Sequence, residues 1–184
     1  NGFVFAKRYD PTGEVAFPYP KEDVDFENGP YALYNWELFF HIPILIANRL
    51  CQNQRFEEAA QWFHFIFNPT TGEQATGNHP LQRFWKTLPF YENTDPEKDQ
   101  IQELLLTLAG KKSGWKKIED QIEEWRNDPF NPHLIARMRI TAYQKNVVIK
   151  YIENLIAWGD QLFGQDTLES INEATLLYVL AGNI

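Results

Sequence analysis

Few residues in this sequence are equipped to do chemistry. The histidines are His41, His64, His79 and His133, and the one cysteine is Cys51. No two histidines are spaced as ligands on one helical turn. Glu37 and His41 lie four apart and share a face if their segment is helical. One such pair is short of a catalytic zinc, which takes three protein ligands. The repeated Glu-x-x-His of di-iron bundles is absent. An intrahelical Glu37–His41 contact beside aromatics explains the pair without a metal. His64, between Phe63 and Phe65, reads as a hydrogen-bonded core or boundary residue.

Nucleophilic chemistry has as little support. There is no Gly-x-Ser-x-Gly elbow. Ser113 and Ser170 stand where helix caps are needed, which accounts for both. Cys51 lies in the apolar run Ile44–Cys51 and reads as a small buried hydrophobe. Gly110-Lys111-Lys112-Ser113-Gly114 lacks the first glycine and the preceding strand of a phosphate loop. Glu119, Asp120, Glu123 and Glu124 form the solvated side of an amphipathic helix whose apolar side is Ile118, Ile122 and Trp125. The aromatic runs Tyr34–Phe40 and Trp62–Phe67 fit a core at helical spacing better than a cofactor pocket. No catalytic residue, metal ligand or cofactor site is therefore expected.

Composition narrows the class further. Aromatic residues make up 15% of the 184, and hydrophobic residues 43%. So much ring surface must be hidden, which excludes a disordered or fibrous chain. The formal charge of -8 opposes nucleic-acid binding, which relies on clustered cations. It also opposes adhesion to anionic membranes. A lone cysteine makes no internal disulfide. The most apolar stretch, Leu38–Ala47, is interrupted by His41 and Pro43 and is too short to span a bilayer. No signal peptide is evident. The missing initiator Met and the still-apolar pattern at Ala181-Gly182-Asn183-Ile184 read as cuts within a longer polypeptide.

The elements that would position these residues are mostly helices. Residues 1–30 are the exception. Phe3-Val4-Phe5 and Val15-Ala16-Phe17 flank the turn Asp10-Pro11-Thr12-Gly13, and Pro18 and Pro20 keep the chain extended. This is an extended arm or short β-hairpin. Residues 31–184 form the helical domain. Pro30 leads a helix over Tyr31–His41, which Pro43 ends or kinks before a second helix to Gln52. After the corner Asn53-Gln54, Arg55–Phe67 is helical, and Leu81–Lys86 makes a short turn. Asp95-Pro96 opens a helix to about Leu108, and Ser113 caps Gly114–Asn127. Asn131-Pro132 opens a long helix to Phe163, closed by Gly164. Asp166-Thr167-Leu168-Glu169 is a capping box for the last helix.

The long helix is the most informative element. At 100° per residue, Ile135, Met138, Ala142, Ile149, Ile152, Ile156 and Phe163 form one stripe. Ile140, Tyr143, Val147, Tyr151, Leu155, Trp158 and Leu162 form another, on nearly the opposite side. A surface helix needs one apolar face, and this one has two. It must lie between layers of the domain, or between the domain and the rest of a longer polypeptide. The fold class is therefore mainly α: a multi-helix bundle with one long central helix, about 132–163, and a short extended or β N-terminal arm.

Several colinear stretches resemble one family. They include Tyr34-Asn35-Trp36-Glu37-Leu38-Phe39-Phe40-His41-Ile42-Pro43, Asn53–Ala59, Trp62–Pro69 and Arg83-Phe84-Trp85-Lys86. Further on are Asp128–His133, Ala142-Tyr143-Gln144-Lys145, Tyr151–Phe163 with its Trp158-Gly159-Asp160-Gln161, and Asp166–Ala174. From Pro18 onward the chain resembles a C-terminal portion of the A subunit (the TcA-type component) of bacterial insecticidal Tc toxin complexes. That resemblance implies a segment of the outer helical shell around a translocation channel, in a secreted, homopentameric, pore-forming subunit. It implies packing against the remainder of the same subunit, with the toxin B and C components bound elsewhere and no membrane insertion by this segment. It carries over no catalytic residue. A shell that opens on a pH change needs contacts whose charge changes, and His41, His64 and His133 are the candidates, with the acidic strip around Glu119–Glu124. Two other classes compete. A helical protein- or peptide-binding module would show a groove lined by exposed aromatics. An enzyme would need Glu37, His41 and His64 to converge.

Overall fold

In the computed structural model the described residues are 24–26, 29–72, 80–93, 123–130 and 139–184. The expected N-terminal strands, the helices expected from Pro96 to about Leu108 and from Gly114 through residue 122, and the start of the long helix at 131–138 lie outside them. The fold class is as expected: the chain is mainly helical, with a long helix toward its C-terminal end.

The first helix begins at Ala32, whose N–H donates to the Gly29 carbonyl at 3.0 Å. Helix α1 is Ala32–Trp36. Trp36 fixes it to the incoming chain by donating from Nε1 to the Phe26 carbonyl at 2.9 Å. Pro43 does not interrupt the helical run. The chain passes through a π-helical segment, Glu37–His41, directly into α2, Ile42–Gln52. Pro43 has no N–H to offer the Phe39 carbonyl four residues earlier. The wider π turn accommodates this, and the Thr87 hydroxyl donates to that carbonyl at 3.3 Å.

The corner after α2 closes as a Schellman motif. Arg55 N–H reaches the Leu50 carbonyl and Gln54 N–H reaches Cys51. Gln54 takes the left-handed position there, at φ 61°. Helix α3, Phe56–Phe63, then buries Phe56, Ala59, Ala60 and Phe63. It ends before the expected Phe67. Residues 66–68 turn away to pair with 84–86: Lys86 N–H donates to Ile66, and Asn68 N–H to Phe84, both at 2.8 Å. Phe67 and Trp85 form the antiparallel bridge between them. The expected turn near Leu81 is a 3-10 helix, Pro80–Phe84, followed by the short α4, Leu88–Glu92.

Helix α5, Ile140–Phe163, is the longest described element, with Arg139 in a non-helical conformation at its start. It packs on α3, on α4 and, along its second half, on α6, Leu168–Asn183. Helix α5 closes at Gly164, as expected, in an ordinary right-handed conformation. One local expectation at this last corner needs correction: the left-handed residue is Asp166, at φ 53°. Asp166 is therefore not the cap. Thr167 is, in a capping box with Ser170 rather than Glu169. Glycine is required at another place. A Cβ on the buried Gly159 would meet the Tyr178 ring at 2.6–3.1 Å, so this residue sets how closely α5 and α6 approach.

The core is one cluster running from Phe26, Trp36 and Phe40 through Phe63, Phe67, Trp85 and Phe90 to Val147, Tyr151 and Leu155. Its rings meet edge to face, as their quadrupoles favour: Phe40–Phe90 at 5.1 Å, Phe63–Tyr151 at 5.7 Å. The aromatic run Tyr34–Phe40 is only half a core element. Trp36 and Phe40 point in, while Tyr34 and Leu38 are 69% and 58% exposed.

Candidate functional site

Helix α5 presents two unlike faces. Inward, Val147, Tyr151 and Leu155 are fully enclosed. Outward, Ala142, Asn146, Ile149, Glu153, Ile156, Asp160 and Phe163 are all exposed. Ile149, Ile156 and Phe163 show 53%, 42% and 58% of their surface. The stripe of Ala142, Ile149, Ile156 and Phe163 is thus left open among the described residues rather than sandwiched.

The inward face carries the histidine contacts. His64 Nε2 and the Tyr151 hydroxyl share a hydrogen bond of 3.0 Å. Burial pushes the Tyr151 phenol up to about 12 and lowers the His64 imidazole below its ordinary 6.5. Both groups are therefore held neutral at physiological pH. With the imidazole proton on Nδ1, the phenol donates to Nε2. His41 sits two turns of α5 away, its ring edge-on to Tyr143 at 6.5 Å and beside Phe40 at 4.8 Å. Tyr143 and Tyr151 are eight residues apart, about 12 Å along the axis, so His41 and His64 stand at separate levels. Glu37 is exposed. The convergence an enzyme would need among these three is not formed. His133 lies outside the described residues, as do Glu119 and Asp120 of the acidic strip. Among the described residues no group of three His, Cys, Asp or Glu side chains could hold a metal. Cys51 is half-buried, and burial raises its thiol, as does the charge of Glu153; Lys150 opposes them. Such a thiol is a poor nucleophile.

Sequence reasoning did not find the polar groups on α5 that face inward. Asn93 Nδ2 donates to Gln144 Oε1 at 2.8 Å and to Thr141 Oγ1 at 3.2 Å, and Gln144 Nε2 donates to the Phe90 carbonyl at 3.0 Å. Asn154, fully buried, donates to the Phe56 carbonyl at 3.0 Å. The available signal was that, at 100° per residue, Gln144 and Asn154 fall within the stripe of Val147, Tyr151 and Leu155. Beside this network lies a cavity of about 320 Å³ walled by Leu81, Trp85, Phe90, Val148 and Ile149, with Lys145 also lining it.

Comparison with known proteins gives the family. The chain is 45% identical over 163 residues to a toxin subunit, YenA2, of Yersinia entomophaga, a match covering 88% of this chain and 10% of that protein. It also matches the cryo-EM structure of Morganella morganii TcdA4 with a TM-score of 0.55 and 27% identity, over 85% of this chain and 5% of that one. No family model matches. These matches bear out the resemblance: the chain is related to the A-type component of insecticidal Tc toxin complexes. It spans about a tenth of the length of the toxin subunit it matches.

Proposed function

We propose that this chain is a structural segment of a large pore-forming toxin-translocation subunit, part of the outer helical shell around the channel and without catalysis of its own. The observation that carries this is the pair of open apolar rows. One is Tyr31, Tyr34, Leu38, Ile42 and Leu45 on the first helices; the other is Ile149, Ile156 and Phe163 on α5. A soluble monomer rarely leaves such rows uncovered. In the parent they pack against the remainder of the same subunit, in a secreted homopentamer whose B and C components bind elsewhere. His41 and His64 stand apart, each resting against a tyrosine ring of α5.

Within this role His64 is the pH-responsive contact, since its neutral form is the one the Tyr151 site favours. His41 and His133 remain the other candidates for charge-changing contacts. The shell role is tested on the isolated chain by dye binding to apolar surface and by light scattering. Dye binding and concentration-dependent self-association are expected. A monodisperse monomer that binds no dye overturns the proposal.

A further inference from the structure

We propose that the outward face of α5 and the adjoining cavity form one docking surface for an amphipathic helix supplied by another part of the longer toxin subunit. This rests on the shell reading above and names the face and the partner. The outward apolar residues, Ala142, Ile149, Ile156 and Phe163, recur every seven positions. Seven residues make almost two turns, so the row runs nearly straight for about 31 Å. A row of that period fits a second α-helix crossing at about 20°. Ile149 belongs to the row and also to the cavity wall. The cavity, about 320 Å³ and largely apolar, is wide enough for one large apolar side chain of the incoming helix.

Charge sets the rest of the partner's character. Lys145 lines the cavity, is exposed, and has no ion-pair or hydrogen-bond partner among the described residues. An acidic residue on the incoming helix would meet it there. Glu153 and Asp160 are exposed along the opposite margin of the row, where basic residues of the partner fit. A second copy of this chain fits poorly. Laid antiparallel with Ile149 on Ile156, two copies cross near residue 153 and bring Glu153 beside its counterpart. The toxin subunit that matches this chain is about nine times its length, ample to supply a different helix.

The test is thiol protection in a Cys51→Ser background. Ile156→Cys and Leu38→Cys are made separately, both at exposed positions, with Glu173→Cys as an exposed polar control. Each is labelled with a maleimide in the isolated chain and in the full toxin subunit carrying this sequence. Ile156→Cys is expected to react roughly tenfold or more slowly in the subunit, as in a packed interface, with Glu173→Cys unchanged. Lys145→Glu in the subunit should then raise labelling at Ile156→Cys by no more than about fivefold, the worth of one exposed ion pair. If Ile156→Cys reacts equally fast in both while Leu38→Cys is protected, the segment is enclosed but this face is not the docking face. If neither is protected, the shell reading falls as well.

Discussion

The two faces of α5 differ in what they need from this chain. Leu155 and Ile156 are adjacent residues of similar size, one 1% and the other 42% exposed. Leu155 is surrounded by rings and helices that the chain itself supplies. Ile156 has no described element packed over it. The same helix is thus a finished core on one side and an unfinished one on the other. Apolar character alone does not distinguish the two, because burial depends on which neighbours are present.

The largest expected effect lies on the inner face. Leu155→Ala removes a fully buried side chain from the centre of the cluster. It should cost about 2–5 kcal/mol of folding stability, as large-to-small core changes do. Urea unfolding followed by circular dichroism measures it. A cost below about 1 kcal/mol would mean that the site collapses or that the core is not packed as described.

Gly159→Ala tests the seam between the faces, where α5 meets α6. The added methyl meets the Tyr178 ring well inside contact distance. Alanine also raises helix propensity, by about 1 kcal/mol over glycine. The clash should exceed that gain, leaving a net loss of about 1–2 kcal/mol, within the usual range for overpacking. Placed in a Tyr178→Ala background, the same change should turn neutral or stabilising. The sign reversal distinguishes close approach from a general dislike of substitution. Tyr178 also donates to Asp160 Oδ1 at 2.8 Å, so thermal melts of all four variants are needed to close the cycle.

A smaller effect is expected at His64, again on the inner side. Burial lowers its pKa from 6.5, so the unfolded chain takes up the proton more readily. The stability tied to the neutral imidazole is fully present above about 6.5 and declines as pH falls through that value toward the lower folded pKa. His64→Gln keeps an acceptor for the Tyr151 hydroxyl but does not titrate. Its melting temperature should therefore fall less than that of the unaltered chain between neutral pH and about pH 5. Parallel curves for the two proteins would remove His64 from the pH-sensitive contacts.

Sequence range decides which of these features were legible from the residues alone. Helical period and capping chemistry are local, so the αα-hairpin at Asn53-Gln54, the spacing of Phe56, Ala59, Ala60 and Phe63, and both stripes of α5 could be read directly. Pro43 misled because its rescue comes from Thr87, distant in sequence. The cap at Thr167 was misplaced by one residue because Asp166 and Thr167 are both good caps, and only the left-handed backbone at Asp166 decides between them. Gly159 stood out in no pattern. Its requirement comes from a ring on another helix. The candidate site divides the same way. His64 could be singled out by its flanking phenylalanines, but its partner Tyr151 is 87 residues away. The cavity joins three stretches of chain, the last about fifty residues beyond the others, and no local spacing announces it.

The smallest effect is expected on the outer face, and it tests the comparison most directly. Ile156→Gln gives up little packing within this chain, and glutamine is the better helix former. The isolated chain should therefore unfold within about 0.5 kcal/mol of the unaltered protein, as exposed substitutions do. Binding of an apolar-surface dye should fall, because the middle of the row is gone. A loss above about 1 kcal/mol would show that Ile156 is packed by this chain after all. The two faces would then be alike, and the open row would no longer require a partner. Unchanged stability with reduced dye binding would mean that the outer isoleucines contribute nothing to folding alone, which leaves contact with other protein as their physical use.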